Sequence, residues 1–205
     1  MSNIVQLAVD RHAAPTIKNG KVPPRRRKNS ELRSREYLSP DEVDTLMEAA
    51  GKLGRHGHRD RSLILIAFRH ALRVSELVAL RWDQVDLKQG LLHVNRSKNG
   101  TPSSHPLRGP EIQALRRLKR DYPDTPYVFV TERRGPVTTA AVRKIIARAG
   151  KAASLGFPVH PHMLRHACGY KLANDGHDTR AIQALHGAQE YPAHGSVHRT
   201  GGGSV

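Results

Sequence analysis

A chain of 205 residues and 22.7 kDa has room for one ordinary domain, or one domain with a tail. Its 34 Lys and Arg against 18 Asp and Glu give a formal charge of +16 and a pI near 10.8, which argues against an average metabolic enzyme and points to a polyanion, nucleic acid foremost. No apolar run approaches the ~20 residues of a membrane helix, no signal-peptide core follows Met1, and one cysteine, Cys168, cannot form an internal disulfide, so a soluble cytoplasmic protein is expected.

Residues 1–36 carry nine basic and three acidic side chains and no apolar period. Within them Arg25, Arg26, Arg27 and Lys28 form a run suited to phosphate contact, in a leader expected to be disordered. The folded part is expected to begin near Tyr37. There Ser39 suits a helix N-cap, Pro40 the first helical position, and Asp41 with Glu42 the positive end of the dipole. Helices are predicted from Val43 to about Gly51, from Arg59 to Leu72 around the apolar run 63–68, and from Ser75 to Leu80. Leu91–Val94 and Ser104–Leu107 read as two strands of a hairpin around Asn99-Gly100, with a further strand at Tyr127–Val130. Helices are also predicted over Glu111–Arg120, Thr138–Ala149, Met163–Ala173 and Asp178–Ile182. The fold class is α+β, mainly α, with a small antiparallel sheet. After Leu185 the apolar residues lose all period, so residues 185–205 read as an irregular tail behind a domain of 37–184.

Three pieces carry candidate chemistry. Arg73 stands between a very apolar helix and the start of the next, where a guanidinium can project toward a phosphate and the helix N-terminus can add backbone donors. Lys98 lies at the hairpin tip. His162 and Arg165 lie three apart at a helix start and so share a face, as a donor pair aimed at one anion. Each has an ordinary explanation alone: a surface arginine, an exposed turn lysine, a satisfied histidine. Zinc on His162, His166 and Cys168 is a competing use, but the stretch lacks the Glu of a His-Glu-x-x-His helix and the chain has no second cysteine.

Together, in this order and spacing, the pieces resemble the catalytic domain of the tyrosine recombinases, the phage-integrase family. Leu72-Arg73-Val74-Ser75-Glu76-Leu77 resembles the first arginine box, Lys98 the hairpin lysine, and His162-Met163-Leu164-Arg165 the His-x-x-Arg box. The short fimbrial phase-variation recombinases are similar in their His-Pro-His-Met-Leu-Arg-His run, here 160–166, and in the segment from Asp178 to Gln183. The resemblance implies site-specific cleavage and rejoining of double-stranded DNA through a 3′-phosphotyrosyl intermediate, without metal, nucleotide or other cofactor. Arg73 and Arg165 would hold the non-bridging oxygens, His162 would bond the phosphate or take the tyrosine proton, and Lys98 would protonate the leaving oxygen. It also implies tetrameric assembly on DNA. The hairpin lysine argues against a plain groove-reading DNA-binding module, which has no use for it.

The ending departs from that pattern. The family continues with Leu-Gly-His and, nine residues later, the nucleophilic tyrosine. In register these fall on Ala188 and Val197, and the only tyrosine in the tail is Tyr191, next to Pro192. The tail also offers no helix for packing on a neighbouring subunit. Synonymous codons for Leu185 onward, read one base later, can spell Tyr-Met-Gly-His-Lys-Asn-Ile-Gln-His-Thr-Val-Arg-Tyr-Thr-Glu, the missing ending at its expected spacing. The tail is therefore expected to be a frame-shifted recombinase end, and the chain as written to be impaired in cleavage. The second reading is a catalytically inactive DNA-binding remnant that occupies recombination sites.

Overall fold

Ser39 begins the first helix in the way its sequence suggests. Its hydroxyl accepts from the Glu42 N–H at 3.3 Å, and the Glu42 carboxylate accepts from the Ser39 N–H at 2.8 Å. The structure is a computed structural model that describes residues 35–96 and 102–186. Among the described residues seven α-helices and three strands follow in chain order: α1 Pro40–Lys52, α2 Gly57–Arg69, α3 Val74–Val78, β1 Val85–Asp86, β2 Leu91–Val94, β3 Ser103–Pro106, α4 Gly109–Asp121, α5 Thr139–Ala152, α6 Pro161–Asn174 and α7 Thr179–His186. The described residues are thus mainly helical with one small antiparallel sheet, as expected.

Helix α2 is the centre of the core. Leu63, Ile64, Ile66, Ala67 and Phe68 are buried because α2 packs against α1, α4 and α6 at once. Helix α6 also buries residues around much of its circumference, Met163, Leu164, Ala167 and Cys168 among them. Gly57 is required at the α1–α2 contact, since a Cβ there would meet the Gly51 carbonyl oxygen at 2.1 Å.

The sheet is antiparallel in the order β1-β2-β3, with Leu92 opposite Val85 on one side and His105 on the other. Strand β1 has no counterpart in the sequence reading, because two residues cannot show alternation. The strand predicted at Tyr127–Val130 is instead two single bridges, Arg81 with Tyr127 and Val130 with Pro136. Its partner Leu80–Trp82 turns at once into a short 3₁₀ helix, so no ladder can extend. Val128, Phe129 and Val130 are nonetheless buried, which is the source of the strand-like signal.

Helix α7 runs two turns to His186, so Leu185 and His186, read as the first residues of the tail, are its last turn. No described helix is long and apolar enough to cross a membrane.

Candidate active site

Helix α2 ends in a closed turn that sets the direction of Arg73. The Leu72 N–H bonds to the Ala67 carbonyl at 3.1 Å and the Ala71 N–H to the Phe68 carbonyl at 3.3 Å, while Ala71 takes φ +50°. This left-handed position usually falls to glycine, and alanine there is strained by roughly 1 kcal/mol. The turn aims the Ala71 carbonyl at Arg165 on α6, whose Nη1 donates to it. Nη2 of Arg165 donates to the carbonyl of His186 at the end of α7. Arg165 is therefore buried and joins three segments that are distant in sequence.

Two residues beyond Ala71, Arg73 is half-buried and held by Glu76. Nη1 of Arg73 donates to Oε1 of Glu76 at 2.9 Å, and its backbone N–H donates to Oε2 at 2.8 Å. The second contact corrects one sequence expectation. Helix α3 is five residues long, and the backbone donor of Arg73 at its start is already taken by Glu76, so the backbone there offers a phosphate less than the sequence suggested. Oε2 of Glu76 accepts again, from Nη1 of Arg96 at 3.0 Å, and the Arg96 side chain is wholly buried. Glu76 and Arg96 were not singled out in the sequence. The Arg73-x-x-Glu76 spacing, which puts a carboxylate at the third helical position to reach back to the preceding N–H, is the signal that could have found the first.

His162 lies one turn before Arg165 on α6. Its ring meets that of His166 edge to face, with centroids 4.4 Å apart. Though much of the residue faces solvent, its imidazole is lowered to about 4, through partial desolvation of the ring and then the charges of His166 and Arg165. It is thus uncharged at neutral pH, able to accept a proton or to donate one hydrogen bond. The thiol of Cys168 is pushed up to about 11 by burial, and among the described residues no group of three or more His, Cys, Asp or Glu could hold a metal. Lys98, Arg25, Arg26, Arg27, Lys28 and Tyr191 lie outside the described residues.

The last turn of α7 closes the cluster. His186 is 1% exposed, and burial together with the charges of Arg165, Arg96, His166 and Arg73 pushes its imidazole to about 3. Arg73, Arg96 and Arg165 therefore all lie within electrostatic reach of one ring. Burial, then His70 and Arg96, lower His105 to about 3 as well.

These two histidines set a pH dependence. In the unfolded chain each binds its proton near pH 6.5, whereas in the folded chain it does so only near pH 3. The unfolded state then holds more protons throughout that interval, and stability falls as pH falls, by up to about 1.4 kcal/mol per unit for each ring. The urea midpoint is expected to be lower at pH 5 than at pH 7, and an unchanged midpoint would mean that neither ring is held neutral.

Comparison with known proteins decides the family. The phage integrase family model matches residues 36–191, three-quarters of the chain. The chain belongs to the phage integrase family. By family it is a tyrosine recombinase, an enzyme that cleaves and rejoins DNA strands site-specifically. The type 1 fimbriae regulatory protein FimE of Escherichia coli K12 is 38% identical over 175 residues, covering 82% of this chain and 85% of FimE. The crystal structure of XerA recombinase superposes with a TM-score of 0.68 at 28% identity, over 75% of this chain and 56% of that one. A lambda integrase tetramer bound to a Holliday junction shares the fold, with a TM-score of 0.64 at 22% identity over 79% of this chain and 49% of that one. The chain spans about half the length of these two solved relatives.

Proposed function

We propose that this chain is the catalytic domain of a site-specific DNA recombinase whose nucleophile-bearing end has been displaced by a shifted reading frame. The observation that carries the reading is the placing of Arg73 and Arg165 around one buried ring. Arg165 bonds the carbonyl of Ala71, two residues before Arg73, and the carbonyl of His186, and the charges of both guanidinium groups, 92 residues apart in sequence, bear on the His186 imidazole. Two such forks match the charge and shape that a phosphate gains on its non-bridging oxygens as it is transferred. His162 is the phosphate donor or proton acceptor, and Lys98 the proton donor to the leaving oxygen. In the cleavage step the tyrosine oxygen bonds to phosphorus, the bond from phosphorus to the 5′-oxygen breaks, and that oxygen leaves as a hydroxyl. The bond energy stays in the phosphotyrosyl link, so no cofactor is needed. The basic run 25–28 supplies sequence-independent attraction to double-stranded DNA, and a chain that kept the family ending would assemble as a tetramer, as lambda integrase is in its Holliday-junction complex, whereas the displaced end removes the helix for that packing.

The buried imidazole at position 186 supports the displaced end. In register with the family ending this is an apolar position, and an imidazole held at about 3 has the protonation behaviour of a polar group placed where an apolar one belongs. As written, the chain binds DNA and does not cleave it. The test is incubation with supercoiled plasmid lacking Mg²⁺, alongside a salt titration of duplex binding. Binding that weakens steeply with salt, without nicking, is the expected result. Nicking together with a protein-linked strand would overturn the impairment, and absence of binding would overturn the recombinase reading. The same tail also favours a second reading, an inactive protein that still occupies recombination sites. The codons of Val197 and His198 separate the two: in a displaced end they overlap as a tyrosine codon one base on.

A further inference from the structure

A continuous line of buried polar side chains ends at Arg73. It starts at Glu111 in the first turn of α4, passes through His70 at the end of α2 and His105 on β3, and reaches Arg96 just after β2. His70 Nε2 lies 2.9 Å from Glu111 Oε1, off the axis of an ideal hydrogen bond. His70 Nδ1 and His105 Nδ1 are 3.3 Å apart. His105 Nε2 faces Ser103 Oγ at 2.8 Å and Arg96 Nη2 at 3.5 Å. Arg96 Nη2 also donates to the Leu185 carbonyl, and its Nη1 holds Glu76 at 3.0 Å.

Proton placement along this line follows from its two fixed ends, the Glu111 carboxylate and the Arg96 guanidinium. A ring lone pair facing a carboxylate at 2.9 Å would repel it, so His70 carries its proton on Nε2. Its Nδ1 is then an acceptor, and His105 must supply the proton from its own Nδ1. That leaves the lone pair of His105 Nε2 facing Ser103 and the guanidinium of Arg96, which can only donate. Each atom along the line has a single role, and the last role orients Arg96.

We propose that Arg96 is a positioning residue for Arg73: the His105–His70–Glu111 line fixes Arg96, Arg96 fixes Oε2 of Glu76, and Glu76 Oε1 fixes the Arg73 guanidinium. The observation is independent of the family match, since it stands on burial and distances alone. The proposal rests on the reading of Arg73 as a phosphate ligand. A buried ion pair adds little net stability compared with apolar packing, whereas it does fix geometry, and here the geometry it fixes is that of a group facing the substrate.

The test uses the full chain and inorganic phosphate as the probe, read by nitrogen-15 NMR of the arginine and histidine side chains. In the unmodified chain His105 is expected as the Nδ1–H tautomer and His70 as the Nε2–H tautomer, and an Nε2–H tautomer at His105 would overturn the proposal without any variant. In Arg96→Lys, which keeps the charge and loses the fork, the Arg73 signals are expected to show freer rotation and the phosphate midpoint at Arg73 to rise several-fold. His105→Phe, which removes the acceptor facing Arg96 together with the links to His70 and Ser103, is expected to give the same change in smaller measure. A purely structural role for Arg96 would lower the melting temperature and leave the Arg73 signals and midpoint alone, and that result overturns the proposal. If Arg73 in the unmodified chain does not respond to phosphate, the phosphate-ligand reading fails instead, and the tautomer and rotation results still judge the positioning.

Discussion

A chain rebuilt to continue from Ala184 with Tyr-Met-Gly-His-Lys-Asn-Ile-Gln-His-Thr-Val-Arg-Tyr-Thr-Glu is expected to form a covalent adduct with a nicked duplex carrying its recombination site. The chain as written is expected to form none. Loss of the attacking group in an enzyme that works by covalent catalysis lowers the rate on the order of a millionfold, because the remaining donors stabilise a transition state that nothing enters. Arg73, His162 and Arg165 are present in both chains, so DNA affinity should differ far less than cleavage. The rebuilt ending also puts methionine in place of His186, a residue 1% exposed whose imidazole is held at about 3. The rebuilt chain should therefore lose less stability between pH 7 and pH 5. Adduct formation at equal rates by both chains would mean that a residue such as Tyr191 already serves, and Tyr191→Phe in the original chain would then abolish the product. A rebuilt chain that folds, binds DNA and forms no adduct would show that the frame-shifted reading is wrong.

The parts of this architecture that were legible in the sequence are those with a local cause. Ser39, Pro40 and Glu42 announce α1 because capping chemistry is complete within four residues. The run 63–68 announces a central helix because a helix covered on several sides has no polar stripe to keep. What escaped was set by partners outside the segment itself. Strand β1 exists because β2 lies beside it, and Tyr127–Val130 fails to become a strand because its neighbour turns away. The site divides in the same way. Arg73, His162 and Arg165 stand in motifs that can be read in order, whereas Arg96, His105 and Glu111 look like ordinary polar residues until the fold buries them against one another. His105 gave a faint sign: it shares strand parity with Leu107, an apolar residue, at an inward position.

Glu76 is where stability and site geometry meet, and its replacement is expected to have the largest effect on folding. Its carboxylate accepts from the Arg73 N–H, from Arg73 Nη1 and from Arg96 Nη1, with a side chain only 2% exposed. Glu76→Ala leaves the wholly buried Arg96 guanidinium without its carboxylate and should lower the unfolding free energy by about 3–5 kcal/mol. Against a total of roughly 5–15 kcal/mol for a domain, much of the population would then unfold under mild denaturant. Urea unfolding at pH 7 reads this directly, and a loss under about 1 kcal/mol would show that water reaches Arg96 and compensates it. The double variant Glu76→Leu with Arg96→Met removes both charges and should recover most of the loss, because an apolar pair of similar volume carries no desolvation penalty. Recovered stability should not bring back the site. With no carboxylate at position 76, Arg73 keeps its charge and loses its fixed direction, so the double variant should fold like the parent and bind inorganic phosphate at Arg73 more weakly. That separation distinguishes a buried ion pair kept for the fold from one kept for the placement of Arg73.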